Sequence, residues 1–465
     1  MKKLLSLFCC IIWTIGSHAQ QKPNIIYILA DDMGYGDLGC YGQTKIKTPN
    51  IDRLAQQGKR YTEFYAGSTV CAPSRAALMT GRHTGRVSVR GNGEFPLPAE
   101  EKIIPEILKE YGYTTAMMGK WGLGLPGTSG SPEKRGWDYF SGFVHHIEGH
   151  FQYPDSAWQI QQKELKKIDL PDQTNVNEWF ADQALDFIRK QKDGPFFLYL
   201  SFTIPHAELV APAQYMKLYL DENGESIFAP EQAHGTGNWY GPQPYPKAAY
   251  AAMVTQMDDY VGKLMDLLNE LELDDNTVLI FTSDNGTHKE GGRTLADAME
   301  FFKSSGPFKG VKRDLYEGGI RAPFIVRWPG KVQAGTQTAM PATAWDMLAT
   351  FAALAGANAD PQDGVSQIPV WTDRVSLKER ASLYERKLYW EFYEEGYKQA
   401  LRKGNWKAIR FYKDGRPQRT ELYQLSEDPG EQQNLAAQNR RQVRKMEKYM
   451  DKLREPSGNP AFQIK

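Results

Sequence analysis

Two apolar runs, far apart in the chain, constrain the fold more than any other feature. Residues 24–30 read Asn-Ile-Ile-Tyr-Ile-Leu-Ala, and residues 277–282 read Thr-Val-Leu-Ile-Phe-Thr. Neither alternates polar with apolar, so both predict strands covered on both faces, as in the interior of a parallel sheet. Each run ends abruptly in oxygen-bearing side chains, Asp31-Asp32 after the first and Ser283-Asp284-Asn285-Gly286 after the second. Ligands of open α/β sheets sit at the carboxyl ends of strands. Asp31, Asp32, Asp284 and Asn285 are therefore expected to hold a hard divalent cation, Ca²⁺ or Mg²⁺.

Other strand ends bring charge to the same rim. Residues 113–118 run into Gly119-Lys120-Trp121, and residues 195–204 into Pro205-His206. Helical patterns alternate with them at 50–57, 99–111, 177–190 and onward from Lys247, where Met253, Met257, Tyr260, Leu264, Leu267 and Leu271 recur every three to four residues as a core stripe. The expected fold class is α/β, with a large doubly wound, mostly parallel sheet. A Gly-, Asn-, Asp- and Pro-rich stretch follows Ala355 up to about Pro369, and then come short strands at 388–392, 398–402, 406–411 and 421–425 and a helix over 439–454. This divides the chain into a large N-terminal domain, 20–369, and a C-terminal antiparallel α+β subdomain, 370–465.

Residues 1–19 read as a signal peptide: Lys2 and Lys3, an apolar run over 4–15, then Ser17-His18-Ala19. The expected location is periplasmic or secreted, and no other apolar run is long enough to predict a membrane span. Removal of Cys9 and Cys10 leaves Cys40 and Cys71, and if Cys71 is chemically committed Cys40 has no partner, so that no disulfide is then expected. Lys plus Arg equals Asp plus Glu at 56 each, which removes any global field that would predict nucleic acid as partner.

Residues 70–82 read Val-Cys-Ala-Pro-Ser-Arg-Ala-Ala-Leu-Met-Thr-Gly-Arg. Pro73 suits a first helical turn and Gly81 a C-cap, which places Cys71 just ahead of a helix N-terminus, a setting that attracts anions. Arg75 lies one turn on, with a fork of donors for an oxyanion. Cys-x-Pro-Ser-Arg followed by Leu-Met-Thr-Gly resembles the signature of type I, formylglycine-dependent sulfatases of the alkaline-phosphatase-like superfamily. Further motifs follow in the same order from residue 22 to about 435.

The resemblance implies a chemistry. A formylglycine-forming maturation enzyme converts Cys71 to the aldehyde, whose hydrate attacks sulfur and later expels sulfate. One calcium ion is held by Asp31, Asp32, Asp284, Asn285 and position 71. Arg75, Lys120 and Lys309, the last in Gly306-Pro307-Phe308-Lys309-Gly310, neutralise the sulfate, and His206 protonates the leaving sugar oxygen. Glu317-Gly318-Gly319-Ile320-Arg321 reads as structural, with Arg321 pairing Glu317 or a nearby carboxylate. In most sulfatases a histidine stands two residues after the lysine matching Lys120. Here Gly122 occupies that place, and His150, in the string His150-Phe151-Gln152-Tyr153-Pro154, is the expected substitute.

The substrate implied is a sulfated carbohydrate, attacked in exo fashion, with galactose or N-acetylgalactosamine sulfate favoured. Arg90, Asn92, His145, His288 and Glu290, with His146 beside them, are the loop residues expected to bind the sugar. The competing classes are a phosphoryl or phosphonate-ester hydrolase of the same superfamily, and a non-catalytic sulfated-glycan-binding protein should Cys71 stay unmodified.

Overall fold

The computed structural model describes residues 22–236, 239–357 and 363–464. The expected signal peptide and part of the expected linker lie outside these. An eleven-stranded sheet forms the body of the protein. Its strands are β1 (Asn24–Ala30), β2 (Lys59–Tyr65), β3 (Thr114–Lys120), β4 (Tyr139–Phe143), β5 (Ser156–Gln161), β6 (Glu164–Asp169), β7 (Phe196–Ser201), β8 (Thr277–Ser283), β9 (Arg321–Arg327), β10 (Thr336–Thr338) and β11 (Ala342–Thr343). The order is β10-β2-β9-β8-β1-β7-β3-β4-β5-β6, with β11 also on β2. The centre, β8-β1-β7-β3-β4, is parallel throughout, whereas β9 runs against both β8 and β2, and the β5–β6 hairpin closes one edge.

Strand β1 lies between β8 and β7 and is buried along its whole length, as an uninterrupted apolar run requires. Because side chains alternate faces, Ile26, Ile28 and Ala30 join one core, against the helices Pro49–Gln57, Val176–Lys190 and Pro246–Glu270. Ile25, Tyr27 and Leu29 join the other, against Cys71–Thr80, Ile104–Glu110 and Asp346–Ala355. The result is three layers, helices on both faces of a mostly parallel sheet, with the strand ends free to carry chemistry.

The chain then forms a four-stranded antiparallel sheet, β12 (Lys387–Phe392), β13 (Lys398–Lys403), β14 (Trp406–Lys413) and β15 (Arg416–Gln424). The Arg440–Leu453 helix covers one face through Met446 and Met450. The other face meets the body through Trp390, whose indole N–H donates to Ala66 O at 2.9 Å. A buried ion cluster lies at this seam: Lys407 Nζ is 2.9 Å from both Glu317 Oε1 and Glu431 Oε1, and Arg321 Nη1 is 3.0 Å from Glu317 Oε2. The expected Glu317–Arg321 pair is present and forms part of this structural tie.

Candidate active site

The helix Cys71–Thr80 begins at Cys71 itself, with Val70 as N-cap, one residue earlier than the sequence pattern implies. Gly81 ends it at φ +68°, a left-handed C-cap. Cys71 is buried, and burial pushes its thiol above the usual range, so the unmodified side chain is a poor nucleophile. The Cys71 thiol donates to Asn92 Oδ1 at 3.4 Å, and the Ala72 N–H donates to the same oxygen at 3.1 Å. Asn92 thus fixes the start of the helix beside position 71.

The ends of β1 and β8 converge as their sequences predict. Asp32 adopts φ +64°, a left-handed conformation, and its N–H donates to Asp284 Oδ1 at 3.0 Å. Asn285 Nδ2 donates to Asp32 Oδ1 at 2.7 Å. Burial works against the charge of Asp31, but Lys120, foremost among its neighbours at 2.6 Å, holds the carboxyl well below the usual range. Burial and the negative charge of Asp31 push Asp284 upward. Two acceptors in this group, Asp31 Oδ1 and Asn285 Oδ1, are buried with no hydrogen-bond partner among the described residues. An unsatisfied buried acceptor costs about 1–3 kcal/mol, and a cation relieves that cost directly. The residues therefore fit a hard cation. Asp31, Asp32 and His206 also bring ligand atoms within 4.8 Å of one another, but His206 Nε2 already faces the Lys312 ammonium, which leaves the oxygens as the better donors.

Arg75 braces this group. Its Nη2 is 2.8 Å from Asp284 Oδ2 and 3.5 Å from Asp31 Oδ2, and its Nη1 donates to Lys120 O at 2.8 Å and to the Ser201 hydroxyl. Only Nε is left buried without a partner among the described residues, so less of the fork is free for an anion than its sequence position suggests.

The lysine in the Gly-rich segment is corrected. Lys309 lies over the Tyr316 ring at 4.1 Å and 3.5 Å from Glu431 O, at the seam between the sheets. Lys312, three residues on, is in the site: its ammonium donates to Asp32 Oδ2 at 2.7 Å and to His206 Nε2 at 3.0 Å. Two lysines in one glycine-rich loop offer the same local signal, and only the path of the backbone chooses between them.

His206 is buried, and burial with the Lys312 charge lowers its basicity, so it stands as neutral imidazole with Nδ1–H donating to Ala207 O. Its ring stacks on His150, centroids 4.5 Å apart and planes 14° apart. Glu290 lies 3.6 Å from both Lys312 and His206, and Arg313 pairs with it at 2.5 Å. Burial opposes the Glu290 carboxylate most strongly, but Lys312, foremost among its cationic neighbours, helps to hold the group at about 2.

Two expected sugar ligands prove structural. Arg90 is buried, with Nη1 on Glu391 at 3.0 Å and Glu455 O at 2.8 Å, and it ties the Asn92 loop to the C-terminal sheet. His288 is buried with Nε2 at Pro205 O, 2.9 Å, and Nδ1 accepting from Glu290 N–H at 3.1 Å. His145, by contrast, lines a cavity of about 190 Å³ with His146, Glu94, Phe95, Gly122 and Leu125, and its Nε2 is 3.0 Å from Glu94. Gly122 sits at φ +72°, where a Cβ would meet His146 Cβ at 3.7 Å. The residue beside the glycine is therefore His146, and His150 belongs with His206 instead.

The Sulfatase family model matches residues 23–357, and the model for the N-sulphoglucosamine sulphohydrolase C-terminal region matches 308–456. The chain belongs to the sulfatase family. It is 33% identical to human N-acetylgalactosamine-6-sulfatase over 382 residues, 76% of this chain and 66% of that protein, so it spans slightly under two thirds of that relative. The N-acetylgalactosamine-6-O-sulfatase of Bacteroides thetaiotaomicron is 30% identical, with 93% of both chains covered. Among solved structures of the family's fold, Ps i-CgsB bound to k-i-k-neocarrahexaose superimposes with a TM-score of 0.78 at 29% identity, covering 96% of this chain and 95% of that one.

Proposed function

We propose that this protein hydrolyses sulfate monoesters of sulfated carbohydrates, acting on a terminal galactose or N-acetylgalactosamine sulfate, with residues 20–369 as catalytic domain and 370–465 as a supporting subdomain. The observation that carries the reading is the oxygen cluster Asp31, Asp32, Asp284 and Asn285, with two orphaned buried acceptors, set among Arg75, Lys120 and Lys312. Calcium in that cluster supplies charge neutralisation and orientation at the sulfate. Conversion of Cys71 to formylglycine supplies the oxygen nucleophile that a buried, high-pKa thiol does not.

The chain's own residues do the rest. Lys120 and Lys312 place positive charge where the sulfate oxygens gain charge in the transition state. Lys312, whose ammonium donates to His206 Nε2 at 3.0 Å, and His206 are the candidate proton donors to the leaving sugar oxygen. The cavity of about 190 Å³ at His145 and His146, below the roughly 300–1,000 Å³ of drug-sized ligand sites, is the candidate place for the sugar ring.

The experiment is a matched pair of measurements on protein co-produced with a formylglycine-forming enzyme. Peptide mass spectrometry reads position 71, and a panel of 2-, 3-, 4- and 6-sulfated galactose and 3-, 4- and 6-sulfated N-acetylgalactosamine reads turnover, with a phosphate monoester as control. Sulfate release by modified protein is expected. Cleavage of the phosphate monoester alone would assign the phosphoryl-hydrolase class, and an intact thiol with glycan binding but no turnover would assign the binding class.

A further inference from the structure

On the helix Arg440–Leu453, the exposed side chains Arg441, Arg444, Lys445, Lys448 and Lys452 fall at spacings of three and four. At about 100° per residue they occupy one arc of about 100°, running about 16 Å along the axis. With Tyr449 they line a shallow surface groove. None of the five side chains has an ion-pair or hydrogen-bond partner among the described residues. The acidic residues of the same helix are engaged elsewhere: Glu447 accepts from the Thr420 hydroxyl at 2.6 Å, and Asp451 pairs with Arg410 at 2.5 Å. Lys387, over the Tyr449 ring at 4.8 Å, adds a sixth cation at the margin.

This arrangement costs stability. Like charges at i, i+4 oppose the helix, and the chain as a whole is charge-balanced, so the stripe is a local concentration. A polyanion lying along it neutralises the row. A lipid surface suits it less well, because the helix's apolar face, Met446 and Met450, is spent on the small sheet and offers nothing to insert. Arg454, two residues beyond the stripe, touches Glu391, which holds Arg90, two residues before Asn92. The end of the row is thus linked through half-buried Arg454 and buried Glu391 and Arg90 to the loop beside position 71.

We propose that this face is a second binding site, remote from the catalytic centre, for the sulfated polysaccharide chain whose terminal sugar enters the active site. The proposal rests on the reading of the substrate as a sulfated carbohydrate. It predicts polymer binding that depends on charge and salt while leaving turnover of single sugars untouched.

The test uses the full mature protein with dextran sulfate as probe and uncharged dextran as control, titrated between about 50 and 200 mM salt. The variant Arg441→Gln, Arg444→Gln, Lys445→Gln, Lys448→Gln, Lys452→Gln is expected to lose about tenfold or more in low-salt affinity and to flatten the salt dependence. Its kcat/KM on a sulfated monosaccharide is expected to stay at the wild-type value, and Arg441→Lys with Arg444→Lys to retain binding. Wild-type affinity in the fivefold variant would overturn the proposal, as would equal or tighter binding of phosphatidylglycerol vesicles or duplex DNA by the native stripe. Charge-dependent dextran sulfate binding in a protein that turns over no sulfated sugar would instead overturn the catalytic reading and leave the surface standing.

Discussion

Lys312 Nζ lies 2.7 Å from Asp32 Oδ2 and 3.0 Å from His206 Nε2, so one ammonium joins the end of β1 to the histidine that follows β7. Lys312→Ala is expected to lower kcat about 10²- to 10³-fold, the usual loss for one preorganised electrostatic donor. Lys309→Ala is expected to keep kcat within about threefold and to lose about 0.5–1 kcal/mol of stability with its aromatic contact. Steady-state kinetics and urea unfolding of the two variants check this, and the opposite ranking would return Lys309 to the site.

Calcium should stabilise the native state by mass action, by about 2.7 kcal/mol at a hundredfold excess over its dissociation constant. Chelated protein is expected to show a lower Tm that calcium restores. In Asp284→Ala the restoration is expected to vanish together with bound metal. Unchanged metal stoichiometry in that variant would place the ion elsewhere.

How far this site could be read from sequence depends on what each residue does. The uniformly apolar β1 and β8 announce themselves because both faces are covered, and the oxygens that end them follow directly. Strand β2, Lys-Arg-Tyr-Thr-Glu-Phe-Tyr, gives no such signal, because its Lys59 is buried by capping Val370 O and Trp371 O. The β5–β6 hairpin turns at Gln162 and Lys163, both at positive φ, without the Gly or Asn that normally marks such a turn. Arg90 and His288 look like ligands because charge in a loop reads the same whether it meets a sugar or a buried carbonyl.

Acid should destabilise the fold through its buried histidines. Burial lowers His83 to about 4, and its Nδ1 accepts from the Gly85 N–H, so the native state holds it neutral. The unfolded chain binds that proton near pH 6.5, which means the stabilisation is complete above about 6.5 and is lost as pH falls toward 4. The full effect is about 3 kcal/mol. Urea unfolding at pH 7 and pH 5 is expected to show a smaller difference in His83→Gln than in the wild type, and an identical pH dependence would contradict the assignment.

The two histidines near Gly122 should separate kinetically. His150, stacked on His206, is expected to support release of the desulfated sugar, so His150→Ala should lower kcat with no burst of desulfated sugar. His146→Ala, beside Gly122 and the small cavity, is expected to raise KM more than it lowers kcat. Rapid-quench and steady-state measurements distinguish them, and loss of affinity alone in His150→Ala would assign it to the sugar.

The most direct test is the initial rate of sulfate release from N-acetylgalactosamine 6-sulfate and its 2-, 3- and 4-sulfated galactose counterparts, by calcium-loaded protein whose position 71 is verified as formylglycine. Turnover of at least one of these sugars is expected, lost on chelation and abolished in Cys71→Ala. Absence of sulfate release from the whole panel by fully modified, metal-loaded protein would contradict the proposed activity.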